Sequence, residues 1–229
     1  MISFGLRLSP TGKIDFDNNY EIYSSFQSLI SKYDNDLAMK IHENRGVPIF
    51  NLSSLIPIRF DGKPNWRNTS MFLIVINSIH DDLASSIVKM VKQEGKLTLN
   101  DGTLSLLSVD VKHLDYRLVP TIPELKSRGP IVIKDKEGYH VVGTPDYEKY
   151  LMGAMKRKAD AVTGRETIVR GVSIVRGRRK LYRVHGHSVP ASILDFILDA
   201  DEDVIRTALI YGVGAKTQMG FGMVGVGEQ

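Results

Sequence analysis

Gly212-Val213-Gly214-Ala215-Lys216-Thr217-Gln218-Met219-Gly220-Phe221-Gly222-Met223-Val224-Gly225-Val226-Gly227 is the stretch on which the reading of this chain turns. Glycine loses more conformational freedom on ordering than any other residue. A run this dense therefore implies positive φ or close approach of backbone to a partner. Lys216 stands between two Gly-x-Gly pairs, Gly212/Gly214 and Gly220/Gly222, and bare amides beside an ammonium suit a phosphate. The familiar phosphate loops do not fit. The NTPase loop has Gly directly before its Lys, where this chain has Ala215. The dinucleotide fingerprint needs a third glycine where Thr217 stands and a helix afterwards, whereas Met223 to Val226 reads as a strand. What remains is Gly-x-Gly, five residues, Gly-x-Gly, and a strand.

The 229 residues suffice for one large domain or two of about 110. A hydrophobic content of 42% supports a well-buried core. No apolar run approaches the ~20 residues of a membrane span, and Met1-Ile2-Ser3-Phe4-Gly5-Leu6 has no basic region followed by an apolar one, so neither membrane association nor a signal peptide is expected. The absence of cysteine excludes disulfides and thiolate metal sites and fits a reducing, cytoplasmic setting. A net charge of +4 and an isoelectric point near 9.1 favour a polyanionic partner.

Residues 2–8 alternate apolar and polar around Phe4, Leu6 and Leu8, which predicts a strand, with a turn at Pro10-Thr11-Gly12. Ile22, Phe26, Leu29, Ile30 and Tyr33 recur at helical spacing. A shorter helix is expected from Asp36 to Glu43, stopped by Gly46-Val47-Pro48. Ile49 to Phe60 reads as extended and Met71 to Ile79 as a buried strand. A helix to about Gln93 follows, then a strand or hairpin around Asn100-Asp101-Gly102. The order is β-α-β-β-α-β, the ferredoxin-like arrangement.

The second half repeats the rhythm. Strands are predicted over Ile131 to Lys134 and Tyr139 to Val142, and a helix from Asp146 to about Ala161. Ile168 to Val175 and Lys180 to Val184 read as two strands around Gly177. Ile193, Leu194, Ile197 and Leu198 predict a helix over Pro190 to Ala200. Val204 to Tyr211 reads as a helix or a buried strand. The fold class is therefore α+β, two tandem ferredoxin-like domains, 1–116 and 117–229, joined near Asp115–Pro123.

Basic residues crowd the second half: Lys156, Arg157, Lys158, Arg165, Arg170, Arg176, Arg178, Arg179 and Lys180, with Arg183 just beyond. Between 156 and 183 only Asp160 and Glu166 oppose them. The cluster reads as a nucleic-acid track or as a solvated, charged hairpin; the isoelectric point and the glycine loop favour the track. His185 and His187 alternate along a strand and read as face histidines rather than metal ligands. Trp66, beside Lys63 and Arg67, suits base stacking or packing on its own domain.

With these residues in view, the loop Gly212-Val213-Gly214 through Gly220-Phe221-Gly222-Met223-Val224 resembles the glycine-rich signature of the CRISPR-associated RNA-binding proteins called RAMPs. The chain is most similar to their repeat-processing endoribonuclease branch, which carries a histidine in a context like Leu37-Ala38-Met39-Lys40-Ile41-His42-Glu43. The resemblance implies RNA held across the cleft between two ferredoxin-like domains and on the basic face of the second. It implies cleavage within CRISPR precursor repeats without metal or other cofactor, by attack of a ribose 2′-OH that leaves a 5′-OH and a 2′,3′-cyclic phosphate. His42 is then the general acid or base, assisted by Lys40, Arg45 or a first-helix tyrosine, Tyr23 or Tyr33. Lys216 and the loop glycines would shape the groove. The family's helix tyrosine and following lysine match Ser31 and Pro48 here. The partner implied is CRISPR repeat RNA; subunits of a CRISPR effector complex and a second copy of the chain are further partners the resemblance allows, and a non-catalytic RNA-binding subunit is the alternative reading.

Overall fold

The computed structural model describes residues 2–43, 48–113 and 119–227, with the side chains of His42, Glu43, Asp81 and Ala84 left aside. The first half contains β1 (Ile2–Gly12), α1 (Asn19–Tyr33), α2 (Asn35–Glu43), β2 (Asn51–Leu52), β3 (Ile56–Phe60), β4 (Thr69–Ser78), α3 (Asp81–Glu94), β5 (Lys96–Thr98) and β6 (Gly102–His113). The second contains β7 (Glu124–Ser127), β8 (Ile133–Asp135), β9 (Gly138–His140), α4 (Tyr147–Thr163), β10 (Val169–Val184), β11 (His187–Ala200), α5 (Glu202–Tyr211) and β12 (Val224–Val226). One antiparallel sheet has the order β2-β4-β1-β6-β5, with β3 also on β4, and the other has β10-β11-β7-β12. In each, the first and third strands of a β-α-β-β-α-β unit lie side by side at the centre, which is the ferredoxin-like order. A β8–β9 hairpin is inserted in the second unit.

Each sheet is covered on one face by helices, and the helical period decides which residues face it. In α1, Ile22, Phe26, Leu29 and Ile30 are buried on the stripe that meets Phe4, Leu6 and Leu8 of β1. In α4, Tyr147, Leu151, Met155 and Ala159 recur every fourth residue and pack with Leu194, Phe196 and Leu198 of β11. Burying one such side chain contributes about 2 kcal/mol. A third cluster, Val132, Tyr182, Val184, Val189, Ala191 and Phe221, joins the β10–β11 hairpin to the glycine loop. Among the described residues no helix is long and apolar enough to cross a membrane.

Five local expectations are corrected. The chain does not turn at Pro10-Thr11-Gly12: β1 pairs with β6 as far as Gly12↔Gly102. Its pairing with β4 ends at Leu8, so Pro10 lies where one side of the strand is free, a position a proline tolerates. The second unit opens with β7, whose Glu-Leu-Lys-Ser sequence buries only Leu125 fully and so carries almost no pattern. Gly177 marks no turn, because β10 runs unbroken for 16 residues. A Cβ there would sit 2.6 Å from a Val142 methyl, so glycine serves close packing. Pro190 to Ala200 is strand, not helix: Ser192, Leu194, Phe196, Leu198 and Ala200 point to the core, while Ile193 and Ile197 point the other way. Apolar residues on both faces hide the period of two. His185 and His187 flank a turn instead of sharing a strand, with His185 at φ 51° before Gly186 at φ 76°.

Candidate nucleic-acid interface

The glycine loop lies on the seam between the two sheets. Gly212, Gly214, Gly220 and Gly222 all have left-handed φ, from 70° to 78°. At two of them nothing larger fits: a Cβ on Gly214 would overlap the Val132 carbonyl oxygen, and one on Gly222 the Val213 carbonyl oxygen. The loop amides are largely spent inside the protein. Val213 donates to Gly222 O at 2.7 Å, Ala215 to Val132 O at 2.9 Å, and Gly222 to Pro130 O at 2.8 Å. Those amides therefore do not form the phosphate cradle that the bare sequence suggests. The Gly220 carbonyl, in turn, accepts from Asn19 Nδ2 at 2.7 Å and Ser54 Oγ at 3.0 Å, both from the first unit. Asn77 Nδ2 adds a bond to Leu209 O of α5 at 3.1 Å.

Lys158 supports the loop from behind. Its ammonium donates to Tyr211 O at 3.3 Å and Gly212 O at 3.0 Å, satisfying the carbonyl end of α5. Burial brings its pKa down to about 7.

Beside the seam the two sheets enclose a cleft of about 1240 Å³. Its cations are Lys13, Arg67, Lys112, Arg128, Arg178 and Lys180, against the single carboxylate of Asp15. Its floor is aromatic. Phe16 is 42% exposed, the Lys180 ammonium sits 3.5 Å from its ring centroid, and Tyr182 meets it edge-on at 6.2 Å. Desolvation first, then repulsion from Arg178, lowers the Lys180 pKa, against the pull of Asp17. Trp66 is fixed by its indole N–H to Ile14 O at 2.6 Å and packs on Phe72 at 4.9 Å, so it mainly serves its own domain. Cations set around one exposed ring, that of Phe16, suit a single-stranded polyanion with bases.

The sequence-derived catalytic candidates surround α1 and α2. His42 lies in the last turn of α2; its side chain, and the whole of Arg45, fall outside the described residues. Lys40 is exposed on the same helix. The Tyr23 hydroxyl accepts from Gln27 Nε2 at 2.7 Å, and Tyr33 donates to Glu94 at 3.2 Å. Ten residues of helix separate the tyrosines by about 15 Å along the axis and roughly 80° around it. At most one of them can serve a site built on His42. Ser31 is exposed and bonds Asn35.

The basic cluster is more compensated than its sequence suggests. Lys156 pairs with Asp160 at 2.8 Å and Glu166 at 3.3 Å. Arg165 pairs with Asp203. Arg170 spans Asp199 and Asp201 at 2.7 and 2.9 Å, and Arg176 approaches Asp195 at 3.9 Å. Arg179 Nε donates to Val142 O at 2.7 Å. Of this cluster, Arg178 and Lys180 reach the cleft. Arg157 has no ion-pair partner among the described residues. The cleft residues Lys13, Phe16, Lys112 and Arg128 escaped sequence reading, because only the fold brings them together; an exposed aromatic near a lysine in Lys13-Ile14-Asp15-Phe16 was the one available signal.

Residues 121–226 match the family described as CRISPR associated protein Cas6, C-terminal. No curated protein sequence matches the chain. Among solved structures, the fold is similar over 100% of both chains to one described as an RAMP protein binding different RNA substrates, with TM-score 0.84 and 17% identity. A CRISPR associated protein Cas6 is similar over 99% of both chains, with TM-score 0.77 and 20% identity. A Cas6-related protein from Pyrococcus furiosus matches over 100% of this chain and 99% of its own, with TM-score 0.81 and 15% identity.

Proposed function

We propose, from the match of residues 121–226 to the Cas6 C-terminal family and the similarity of the whole fold to a RAMP protein, that the protein binds CRISPR repeat RNA and cuts it within the repeat. The observation that carries the reading is the cleft between the two ferredoxin-like sheets, lined by cations and an exposed phenylalanine ring. Backbone phosphates supply salt-dependent affinity and unpaired bases stack on Phe16 and its neighbours. The division into domains 1–116 and 117–229 belongs to the same proposal.

The reaction proposed is an internal transesterification that needs no metal. A base takes the proton of the ribose 2′-OH, the 2′-oxygen bonds to phosphorus, and the bond from phosphorus to O5′ breaks as an acid protonates O5′. The products are a 2′,3′-cyclic phosphate and a 5′-OH. His42 supplies one of the two proton transfers, since an imidazole titrates near neutrality. Lys40, Arg45 and one α1 tyrosine are its candidate helpers.

The test is incubation with the cognate repeat RNA in EDTA. The parent should cut, and His42→Ala should be slower by about 10²–10⁴-fold at unchanged RNA affinity. Equal rates in parent and variant would remove His42 from the chemistry. Tight, salt-sensitive binding without any cutting would select the non-catalytic RNA-binding subunit, a reading favoured by Ser31 and Pro48 standing where the family has tyrosine and lysine.

A further inference from the structure

A second, smaller pocket of about 350 Å³ opens between the glycine loop, β8 and α4. Pro48 of the first unit forms part of its wall; Lys134, Arg157, Lys158, Gly214 and Ala215 of the second line it together with apolar side chains, and the Lys158 ammonium is already spent on the α5 carbonyls. No carboxylate lines the pocket. Lys216, the next residue along the loop, is held at φ 61°, an unusual conformation for a non-glycine residue. Its ammonium pKa is lowered by burial and then by repulsion from Lys134. Among the described residues Lys134 has only the Tyr139 ring as a partner, 5.0 Å away, and the Arg157 guanidinium folds back toward Gly153, where a Cβ would leave 3.1 Å. Among the described residues no acid opposes Arg157, Lys134 or Lys216. Elsewhere on this domain Lys156, Arg165 and Arg170 have carboxylate partners. A group of like charges left uncompensated in one concavity is electrostatically unfavourable unless an anion fills it.

We propose that this pocket is a phosphate-binding subsite in which Arg157, Lys134 and Lys216 hold one backbone phosphodiester of the bound RNA, apart from the cleft between the sheets. The proposal rests on the RNA-binding reading but not on cleavage. Because Pro48 is six residues after His42, this wall of the pocket lies within about 22 Å of the His42 backbone. The RNA would then run from the cleft past the seam to the end of α2.

Affinity for a repeat RNA carrying a 2′-deoxy substitution at the cut, measured against salt, tests this without requiring activity. Lys134→Gln with Arg157→Gln should weaken binding and flatten the slope of log K against log salt by roughly 0.7, the value for one lost single-strand phosphate. Arg157→Lys should restore part of the slope. Both side chains are exposed, so the fold tolerates the changes. The control, Lys89→Gln with Lys92→Gln on α3, removes the same charge and should leave the slope unchanged. If the pocket variant keeps the parent slope while the parent binds RNA, the subsite is overturned. Should inorganic phosphate raise the melting temperature of the parent but not of the variant, with equal RNA slopes, the pocket holds free phosphate and the RNA assignment fails. If the parent binds no RNA, the broader functional reading fails first.

Discussion

Lys158 shows how differently one residue reads in sequence and in space. In the run Lys156-Arg157-Lys158 it is one cation of three. In the fold these point to three environments: Lys156 to an ion-pair network, Arg157 to a pocket, Lys158 to the buried carbonyl end of α5. Its pKa in the folded chain, about 7, lies below the ordinary lysine value. The unfolded chain therefore holds more protons between about pH 7 and 10, and stability rises with pH across that window, having carried the full penalty of the buried charge below it. Lys158→Met should remove this contribution. Denaturant unfolding from pH 7 to 10 should show the parent gaining on the variant by up to about 1.4 kcal/mol per pH unit. A constant difference would show that the ammonium is not titrating there. The acidic partners of the basic cluster were equally hidden, because Asp195 and Asp199 face Arg176 and Arg170 only once β10 and β11 have paired, and Asp203, on α5, meets Arg165 from 38 positions away.

At the scale of elements, strong one-faced periodicity was legible and two-faced burial was not. α1 and α4 each present a single apolar stripe, and their existence and extent follow from it. β11 is the second unit's long central strand, apolar toward the helices and toward the cleft, and its pattern mimics a helix. β7 is too short to show any pattern, although it lies between β11 and β12. In the terminal loop glycine was a reliable guide, since Gly212, Gly214, Gly220 and Gly222 all meet a local demand for positive φ, whereas the turns expected at Gly12 and Gly177 are strand. Gly222→Ala should cost more than about 2 kcal/mol, from the left-handed backbone and the overlap with the Val213 carbonyl together. Gly171→Ala in β10, where nothing lies within 4 Å of an added Cβ, should change stability by under about 1 kcal/mol. Thermal unfolding of the two variants checks the contrast, and equal losses would refute it.

For the whole molecule, the two sheets have separate cores yet share a polar seam. Asn19 and Ser54 meet the Gly220 carbonyl, Asn77 meets Leu209, and the Arg183 amide meets Asp17 at 2.8 Å. A buried carbonyl left without its donor costs about 1–3 kcal/mol. The parent should therefore unfold in one cooperative transition, and Asn19→Ala combined with Asn77→Ala should separate it into two by calorimetry. A double variant that still melts once, at the parent temperature, would show that the apolar contacts alone couple the halves. None of these pairings was visible in the sequence, because each joins residues more than 130 positions apart.

The seam also bears on how quickly a ligand can arrive. With the Gly220 carbonyl held twice from the first unit, by Asn19 of α1 and by Ser54, widening the cleft would mean breaking buried bonds, so the proposed RNA strand would enter without a prior opening step. Arrival is then governed by diffusion along the field of the cleft cations. Its rate constant should scale inversely with solvent viscosity and fall steeply as ionic strength rises.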